Sequence, residues 1–162
     1  MSRTTVIELH KEEMKFSAGH FTIFSATERE RLHGHNFRVH AALTCEVADD
    51  GLAFDYAIYK RKIFDMCREW NEYFMLPEHS PHLRLEHTDE YLIAHFNGER
   101  LPFLYKDVLI LPVTNVTVEE LSRLVLQRLV EYRKAEGHAL VSGIEVKIFS
   151  GPGQSASATW SE

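Results

Sequence analysis

The 162-residue chain combines 44% hydrophobic with 26% charged residues, so it is long and apolar enough to bury a core without disulfides. Its net charge of −6, from 18 basic and 24 acidic side chains, argues against nucleic acid as the main partner. Cys45 and Cys67 are too few for a disulfide framework, which predicts reduced, buried thiols. Without a signal peptide or a long apolar run, we expect a cytoplasmic protein and no membrane partner.

Two segments in the first third of the chain alternate apolar and polar residues, as half-buried strands do. The first covers about residues 5–21 and the second about residues 36–47. In the second segment the odd-numbered residues from Phe37 to Val47 are mostly apolar, so they are predicted to face a core. His33 and His35 continue the same parity toward the start of this strand.

Apolar residues spaced by three and four predict two helices farther along the chain. The first begins at Asp55 or Tyr56 and continues to about Phe74. The second begins at Thr117, where Thr-Val-Glu-Glu matches a capping box, and ends at Gly137. Both helices would lie on one face of the sheet.

The segment between the two helices and the segment after them carry further strand signals. Residues 83–105 predict a small hairpin insertion, with turns at residues 88–89 and 97–98. A last strand covers about residues 139–149. Strands joined by helices on one side make an α+β domain, which we expect to span residues 1–162 with an insertion at about 78–113. Unpaired sheet edges then favour a homo-oligomer.

The sequence His-Gly-His at residues 33–35 is the strongest chemical signal. Alternate residues of a strand share one face, so His33 and His35 can present two imidazoles to one metal ion. His20 ends another strand-like segment and would complete a three-nitrogen set with an open position, as in catalytic zinc sites. The alternative is that these are ordinary surface or core histidines. That ordinary role, facing solvent or simply hydrogen-bonded, is what we expect of other histidines in the chain: His10, His40, His87, His95 and His138.

Four motifs together resemble the superfamily of 6-pyruvoyltetrahydropterin and 6-carboxytetrahydropterin synthases. They are Phe-Ser-Ala-Gly-His at 16–20, His-Gly-His-Asn-Phe at 33–37, Gly-Leu-Ala-Phe-Asp-Tyr at 51–56 and Thr-Val-Glu-Glu-Leu at 117–121. The resemblance implies a tunnelling fold, ββααββ, with an antiparallel four-stranded sheet. It also implies trimers, or hexamers of two stacked trimers, and Zn²⁺ bound by three histidines. The implied metal ligands are His20, His33 and His35, and Glu119 is implied as a pterin contact.

The sequence departs from the common pattern of that family at three catalytic or binding positions. Glu30, three residues before His33, stands where the family usually has a cysteine. In this the chain is similar to a subgroup in which glutamate replaces the cysteine and the product is 6-hydroxymethyl-dihydropterin. The family's Asp-His pair is Asn71-Glu72 here, so Glu72, or a nearby histidine such as His79 or His82, would have to replace the proton relay. The glutamate that anchors the pterin corresponds to Ser150, with Ile148 as the alternative.

These observations support two functions of different classes. The first is a zinc-dependent lyase acting on 7,8-dihydroneopterin triphosphate or a related pterin, in queuosine or folate biosynthesis. In it, Glu30 is the general base and Glu72 a second catalytic group. The second is a binding or regulatory module that keeps the fold, the zinc and the assembly but not this reaction. A glutamate between Arg29 and Arg31 in a polar loop is also compatible with a solvated residue that has no catalytic role.

Overall fold

The computed structural model describes residues 3–162, which contain ten strands and two α-helices. Met1 and Ser2, the first residues of the expected domain, lie outside the described residues. The elements, in chain order, are β1 Arg3–Leu9, β2 Lys15–His20, β3 His33–Val47, α1 Ala57–Trp70, β4 Tyr73–Pro77, β5 Arg84–His87, β6 Tyr91–Phe96, β7 Glu99–Leu104, β8 Val108–Leu111, α2 Val118–Glu136, β9 Val141–Gly151 and β10 Gln154–Ser161. Neither helix is long and apolar enough to cross a membrane.

The main sheet has seven strands arranged around the long strand β3. Its order is β10-β9-β3-β2-β4-β8, and β1 also pairs with β3. Strand β2 pairs with the first part of β3, from Lys15↔Arg38 to His20↔His33, and β1 pairs with the rest. The predicted strand at residues 5–21 is therefore two strands, separated by a turn in which Met14 N donates to Lys11 O at 3.0 Å.

The prediction of a purely antiparallel four-stranded sheet is wrong in detail. Strand β4 runs parallel to β2, and β8 runs parallel to β4, so the sheet is mixed. The first helix also ends earlier than its apolar spacing predicted, at Trp70 rather than Phe74. The reason is that Glu72 adopts a positive φ of 66°, which redirects the chain, and Tyr73 and Phe74 then pair with β2 as the start of β4.

The core lies between the helices and one face of the main sheet. Residues of β3 with odd numbers from Phe37 to Val47 are buried, as predicted, and those from Phe37 to Leu43 form one apolar cluster with the buried residues of α1 and α2. Helix α2 is capped as its sequence indicated: Thr117 Oγ1 accepts from Glu120 N at 3.3 Å, and Gly137 ends the helix with a φ of 68°.

The insertion forms a separate three-stranded sheet, β5-β6-β7, with the predicted tight turn at Asn97 and Gly98. Its buried side chains, including Leu92 and Phe96, form a second apolar cluster with Phe21 and Ile23. The insertion thus covers the segment that joins β2 to β3. This segment contains Glu30, so the second cluster helps to position a predicted catalytic residue.

Candidate active site

The three predicted metal ligands lie together where β2 ends and β3 begins. His20 and His33 are paired in the antiparallel register, and His35 is two residues farther along the same face. One ligand nitrogen of each imidazole lies within 4.8 Å of the others. The ring centroids are 4.6 Å apart for His20 and His33 and 4.8 Å apart for His33 and His35. The strand register is therefore what brings the rings together.

Backbone carbonyls fix the orientation of two of these rings. His20 Nδ1 donates to Val116 O, and His33 Nδ1 donates to Arg31 O, each at 2.7 Å. With the proton on Nδ1, the lone pair of each Nε2 is free, which is the second-sphere arrangement typical of metal-binding histidines. His33 Nε2 and His35 Nε2 lie 3.1 Å apart. His20 Nε2 is buried and has no hydrogen-bond partner among the described residues.

Burial favours the neutral form of two of the imidazoles. It is the main cause that lowers the pKa of His20 and of His35, and the neighbouring imidazoles lower both further. A neutral imidazole with a free lone pair is the form that binds a metal ion. A buried, unpartnered nitrogen next to two further nitrogens thus fits Zn²⁺, whose preferred ligands include histidine in sets of three.

Two glycines allow the strands around the histidines to approach closely. A Cβ at Gly34 would lie 3.0 Å from Ala18 O, and one at Gly19 would overlap the ring of Phe74. Neither glycine has a positive φ, so the reason is space rather than backbone conformation. Both glycines flank a histidine, and the Gly-His spacing in the sequence reflects this packing.

Glu30 lies next to the histidine cluster and is held there. One carboxylate oxygen, Oε2, is 3.5 Å from His33 Nε2, and the other, Oε1, accepts from Thr22 N at 3.1 Å. Its backbone N–H donates to Thr22 O at 2.9 Å. Burial alone would raise the pKa of Glu30, but the hydrogen bond from Thr22 and the nearby imidazoles of His33 and His20 outweigh burial and lower this pKa. Glu30 is therefore not simply a solvated loop residue.

The neighbour of Glu30 anchors this loop to the insertion. The Arg29 guanidinium lies 5.2 Å from the centre of the Phe21 ring, and Arg29 Nε donates to Glu99 at 3.0 Å. Arg29 also donates to the backbone oxygen of Glu30 at 2.8 Å. No sequence pattern indicated these contacts or those of the Arg31 and Val116 carbonyls, because neither backbone acceptors nor contacts between distant residues have a local residue-specific signature.

Glu72 lines a shallow cleft of about 400 Å³ with Ser17, Gly19 and Asn36, which lie on the face of β2 and β3 opposite the histidine rings. Its backbone N–H donates to Ser17 O at 2.7 Å, and the preceding Asn71 accepts from Ser17 N at 2.9 Å. The exposed Glu72 carboxylate is thus attached to β2 through the backbone. His79 and His82 follow the other end of β4, are exposed, and do not line this cleft.

The two predicted substrate contacts lie on either side of the histidines in the fold. Glu119 is exposed in the first turn of α2, three residues after Val116, whose carbonyl binds His20. Ser150 is half-buried near the end of β9. The pairing of β9 with β3 extends to Phe149↔Arg38, so Ser150 lies one residue farther toward the histidine end of β3. Ile148, the alternative position, is fully buried in the core.

Comparisons with known proteins agree on one family. The family model of 6-pyruvoyl tetrahydropterin synthase matches residues 8–159. A protein of Methanocaldococcus jannaschii named as a 6-carboxy-5,6,7,8-tetrahydropterin synthase is 28% identical over 144 residues, or 88% of each chain.

Solved structures of 6-pyruvoyl tetrahydropterin synthase from Plasmodium falciparum and Plasmodium vivax have the same fold. Each is 24% identical and superposes with a TM-score of 0.90; the first covers 98% of this chain and 99% of its own, and the second 99% of both. The predicted α+β tunnelling fold is confirmed at this level, although the sheet is mixed. Because the family match extends over nearly the whole length, the chain belongs to the 6-pyruvoyl tetrahydropterin synthase family.

Proposed function

We propose that the protein is a zinc-dependent lyase that cleaves a carbon–carbon bond in the side chain of 7,8-dihydroneopterin triphosphate or a related pterin. The product would be a 6-hydroxymethyl- or 6-carboxy-pterin. The observation that carries the proposal is the Glu30 carboxylate, 3.5 Å from His33 Nε2 at the edge of a three-imidazole cluster. A base beside a metal-binding cluster suits removal of a proton from a substrate hydroxyl.

His20, His33 and His35 would hold the zinc ion. When bound, Zn²⁺ would supply Lewis acidity toward the side-chain oxygens of the pterin. Among the described residues, this metal-binding group consists of three histidines and no fourth side chain. A zinc ion held by three ligands would keep one coordination position for a further ligand. This donor set is the one expected of a catalytic rather than a structural zinc site.

Glu30 would act as the general base. Its carboxylate would accept the proton of a side-chain hydroxyl, and the carbon–oxygen bond would become a carbonyl as the adjacent carbon–carbon bond breaks. The electron pair of that bond would remain on the carbon next to the pterin ring, which then takes up a proton. An aldehyde leaves. Variants of the Plasmodium vivax protein at a glutamate are described as catalytic-residue mutants, which supports a glutamate in this role.

The remaining predicted residues would bind and orient the pterin. Glu72 would serve as the second proton-transfer group in place of the family's Asp-His pair. The Glu119 carboxylate would accept hydrogen bonds from the 2-amino group and ring N–H of the pterin. Ser150 would contribute a hydroxyl near the same end of β3. A hydroxyl is a weaker acceptor than a carboxylate, so Glu119 would carry most of this recognition.

The assembly that we propose is a trimer, or a hexamer of two trimers. The outer strands of the main sheet, β10 and β8, each pair with one neighbour within the described chain. Pairing of such edges between copies would close a barrel. Sedimentation at micromolar concentration should therefore give a species of three or six chains, and a monomer alone would contradict this part of the proposal.

A second candidate function is a binding module that retains the metal site but does not turn over this substrate. Two replacements favour it: Asn71-Glu72 in place of an acid–histidine pair, and Ser150 in place of a carboxylate. In this case the protein would bind a pterin, or a compound with similar hydrogen-bonding groups, without breaking its side chain.

One experiment separates the two candidates. Zinc-loaded protein is incubated with 7,8-dihydroneopterin triphosphate, pterin products are followed by chromatography and fluorescence, and the released aldehyde is quantified. Equal amounts of a shortened pterin and an aldehyde support the lyase. Binding of the substrate in equilibrium dialysis without any product supports the module. If the protein neither binds nor converts the compound, the lyase fails, and the binding module fails for this pterin.

A further inference from the structure

A second histidine cluster lies on the face of the main sheet opposite the core. The pairing of β1 with β3 ends at Leu9↔Ala41, so His10 and His40 are the next residues along the two paired segments. Because side chains alternate and Leu9 and Ala41 are buried, Glu8, His10 and His40 all belong to the outer face. One ligand atom from each of these three lies within 4.8 Å of the others.

His40 supplies an independent indication that this cluster binds something. Its Nε2 atom is buried and has no hydrogen-bond partner among the described residues. The prediction that His40 faces solvent or is simply hydrogen-bonded is therefore wrong for this nitrogen. The rings of His10 and His40 meet edge to face, with centroids 4.8 Å apart. A buried polar atom without a partner is unfavourable, and a ligand that accepts its lone pair would remove that cost.

The surroundings leave room for a cation despite several basic side chains. Lys147 is paired opposite His40, but its ammonium lies 3.9 Å from the Glu145 carboxylate. Arg38 and Lys11 line the adjacent cavity of about 250 Å³, and Arg38 is paired with Glu12 at 3.1 Å. The residue paired with Glu8 is Ala42, a small side chain that does not fill the space in front of the carboxylate.

We propose that Glu8, His10 and His40 form a second site for a divalent transition-metal ion, with Zn²⁺ as the expected occupant. Two imidazoles and one carboxylate are a donor set that zinc accepts. Softer ions, which prefer sulfur ligands, and harder ions, which prefer oxygen ligands, would bind this set less well. The site is separate from the His20, His33 and His35 cluster, which lies on the core face of the sheet. A bound ion would join the end of β1 to the middle of β3 and would stabilise the folded chain in proportion to its occupancy.

The test counts ions in a protein that lacks the first site. In the H33A/H35A variant, dialysis against buffered micromolar Zn²⁺ followed by elemental analysis should leave one ion per chain. Adding His10→Ala should remove it, and adding Glu8→Gln should weaken its binding more than about tenfold, since even outer-sphere changes cost about 10–100-fold in metal affinity. His87→Ala, which removes an exposed histidine of the insertion, is the matched control and should change nothing.

A second measurement is independent of ion counting. In the same H33A/H35A background, zinc should raise the midpoint of thermal unfolding, and the further His10→Ala change should abolish that shift. His10 is exposed, so its replacement should leave the fold intact, which circular dichroism of the metal-free protein checks. The proposal is overturned if the H33A/H35A protein binds no zinc, if His10→Ala and His87→Ala behave alike, or if inorganic phosphate rather than zinc produces the shift. None of these readouts depends on pterin turnover.

Discussion

The two histidine clusters use the same long strand but differ in how firmly their rings are held. At the start of β3, backbone carbonyls fix His20 and His33, and Phe37 packs beneath His20 and His35 with centroids 5.8 and 5.4 Å away. Near the middle of β3, on the opposite face, the ring of His10 is exposed and contacts mainly that of His40. Oriented ligands lose less entropy on binding, so the first cluster should bind zinc more tightly than the second.

The largest expected effect is loss of the first site. His33→Ala combined with His35→Ala removes two of its three ligands, so the number of zinc ions bound per chain should fall by one and pterin turnover should disappear. The decrease is the relevant quantity, because it does not depend on occupancy of the Glu8, His10 and His40 site. A double variant that binds as much zinc as the original protein would contradict the assignment. Elemental analysis after dialysis provides the count.

The next largest effect separates metal binding from proton transfer within the first cluster. Glu30→Gln keeps the size and the hydrogen bond from Thr22 but cannot accept a proton, so turnover should fall by roughly 10² to 10⁴ with unchanged zinc content. Glu28→Gln, an exposed glutamate of the same loop, is the matched control and should alter the rate little. Equal rates for the two variants would remove Glu30 from the mechanism and leave Glu72 as the remaining candidate base.

A smaller effect tests whether close strand packing holds the first cluster in place. Gly19→Ala would put a methyl group against the ring of Phe74, which should cost about 1–3 kcal/mol of unfolding free energy and shift His20 away from its partners. Gly151→Ala meets no atom within 4 Å and has no positive φ, so it is the control. Denaturant unfolding gives the stability, and zinc titration should show weaker binding at the first site only. Equal behaviour of both alanine variants would contradict this explanation.

The fully buried thiols provide a comparison between the core and the two polar clusters. Cys45 and Cys67 are at most 2% exposed, and burial raises the pKa of Cys67 to about 12. Its thiol therefore stays protonated in the folded protein and ionises more readily when unfolded. The contribution of the protonated Cys67 thiol to the free energy of unfolding is fully present below pH 9 and decreases as the pH rises toward 12. Native protein should react with a thiol reagent far more slowly than protein in denaturant at pH 8, and fast labelling would disprove this burial.

The sequence predicted the first cluster well because strand periodicity places alternate residues on one face. It failed at Tyr73 and Phe74, which continue the helical spacing of α1 but join the sheet, because sheet pairing outweighs local periodicity. It also failed to find the second cluster. Glu8 and His10 are separated from His40 by about 30 residues, and only the pairing of β1 with β3 brings them together. Register between distant strands follows from tertiary packing and is not encoded in a local motif.

The smallest expected effect concerns the turn that separates the two clusters along the chain. Glu12 in this turn pairs with Arg38 and with Lys15, and the hydrogen bond from Arg38 is the main cause that lowers the pKa of Glu12 from 4.5 to about 2. The folded protein therefore holds this carboxylate ionised at a pH where the unfolded chain protonates it, so the stabilisation is complete above pH 4.5 and is lost as the pH falls toward 2. Glu12 is exposed, so the ion pairs are screened by salt and the loss of stability should be small.

In denaturant unfolding between pH 6 and pH 3, the free energy of unfolding of Glu12→Gln should decline less steeply than that of the original protein. Glu13→Gln, a change at an exposed neighbour, should decline like the original. If both variants decline like the original protein, Glu12 does not stabilise the turn, and the positions of β1 and β2 along β3 depend on strand pairing and core packing alone.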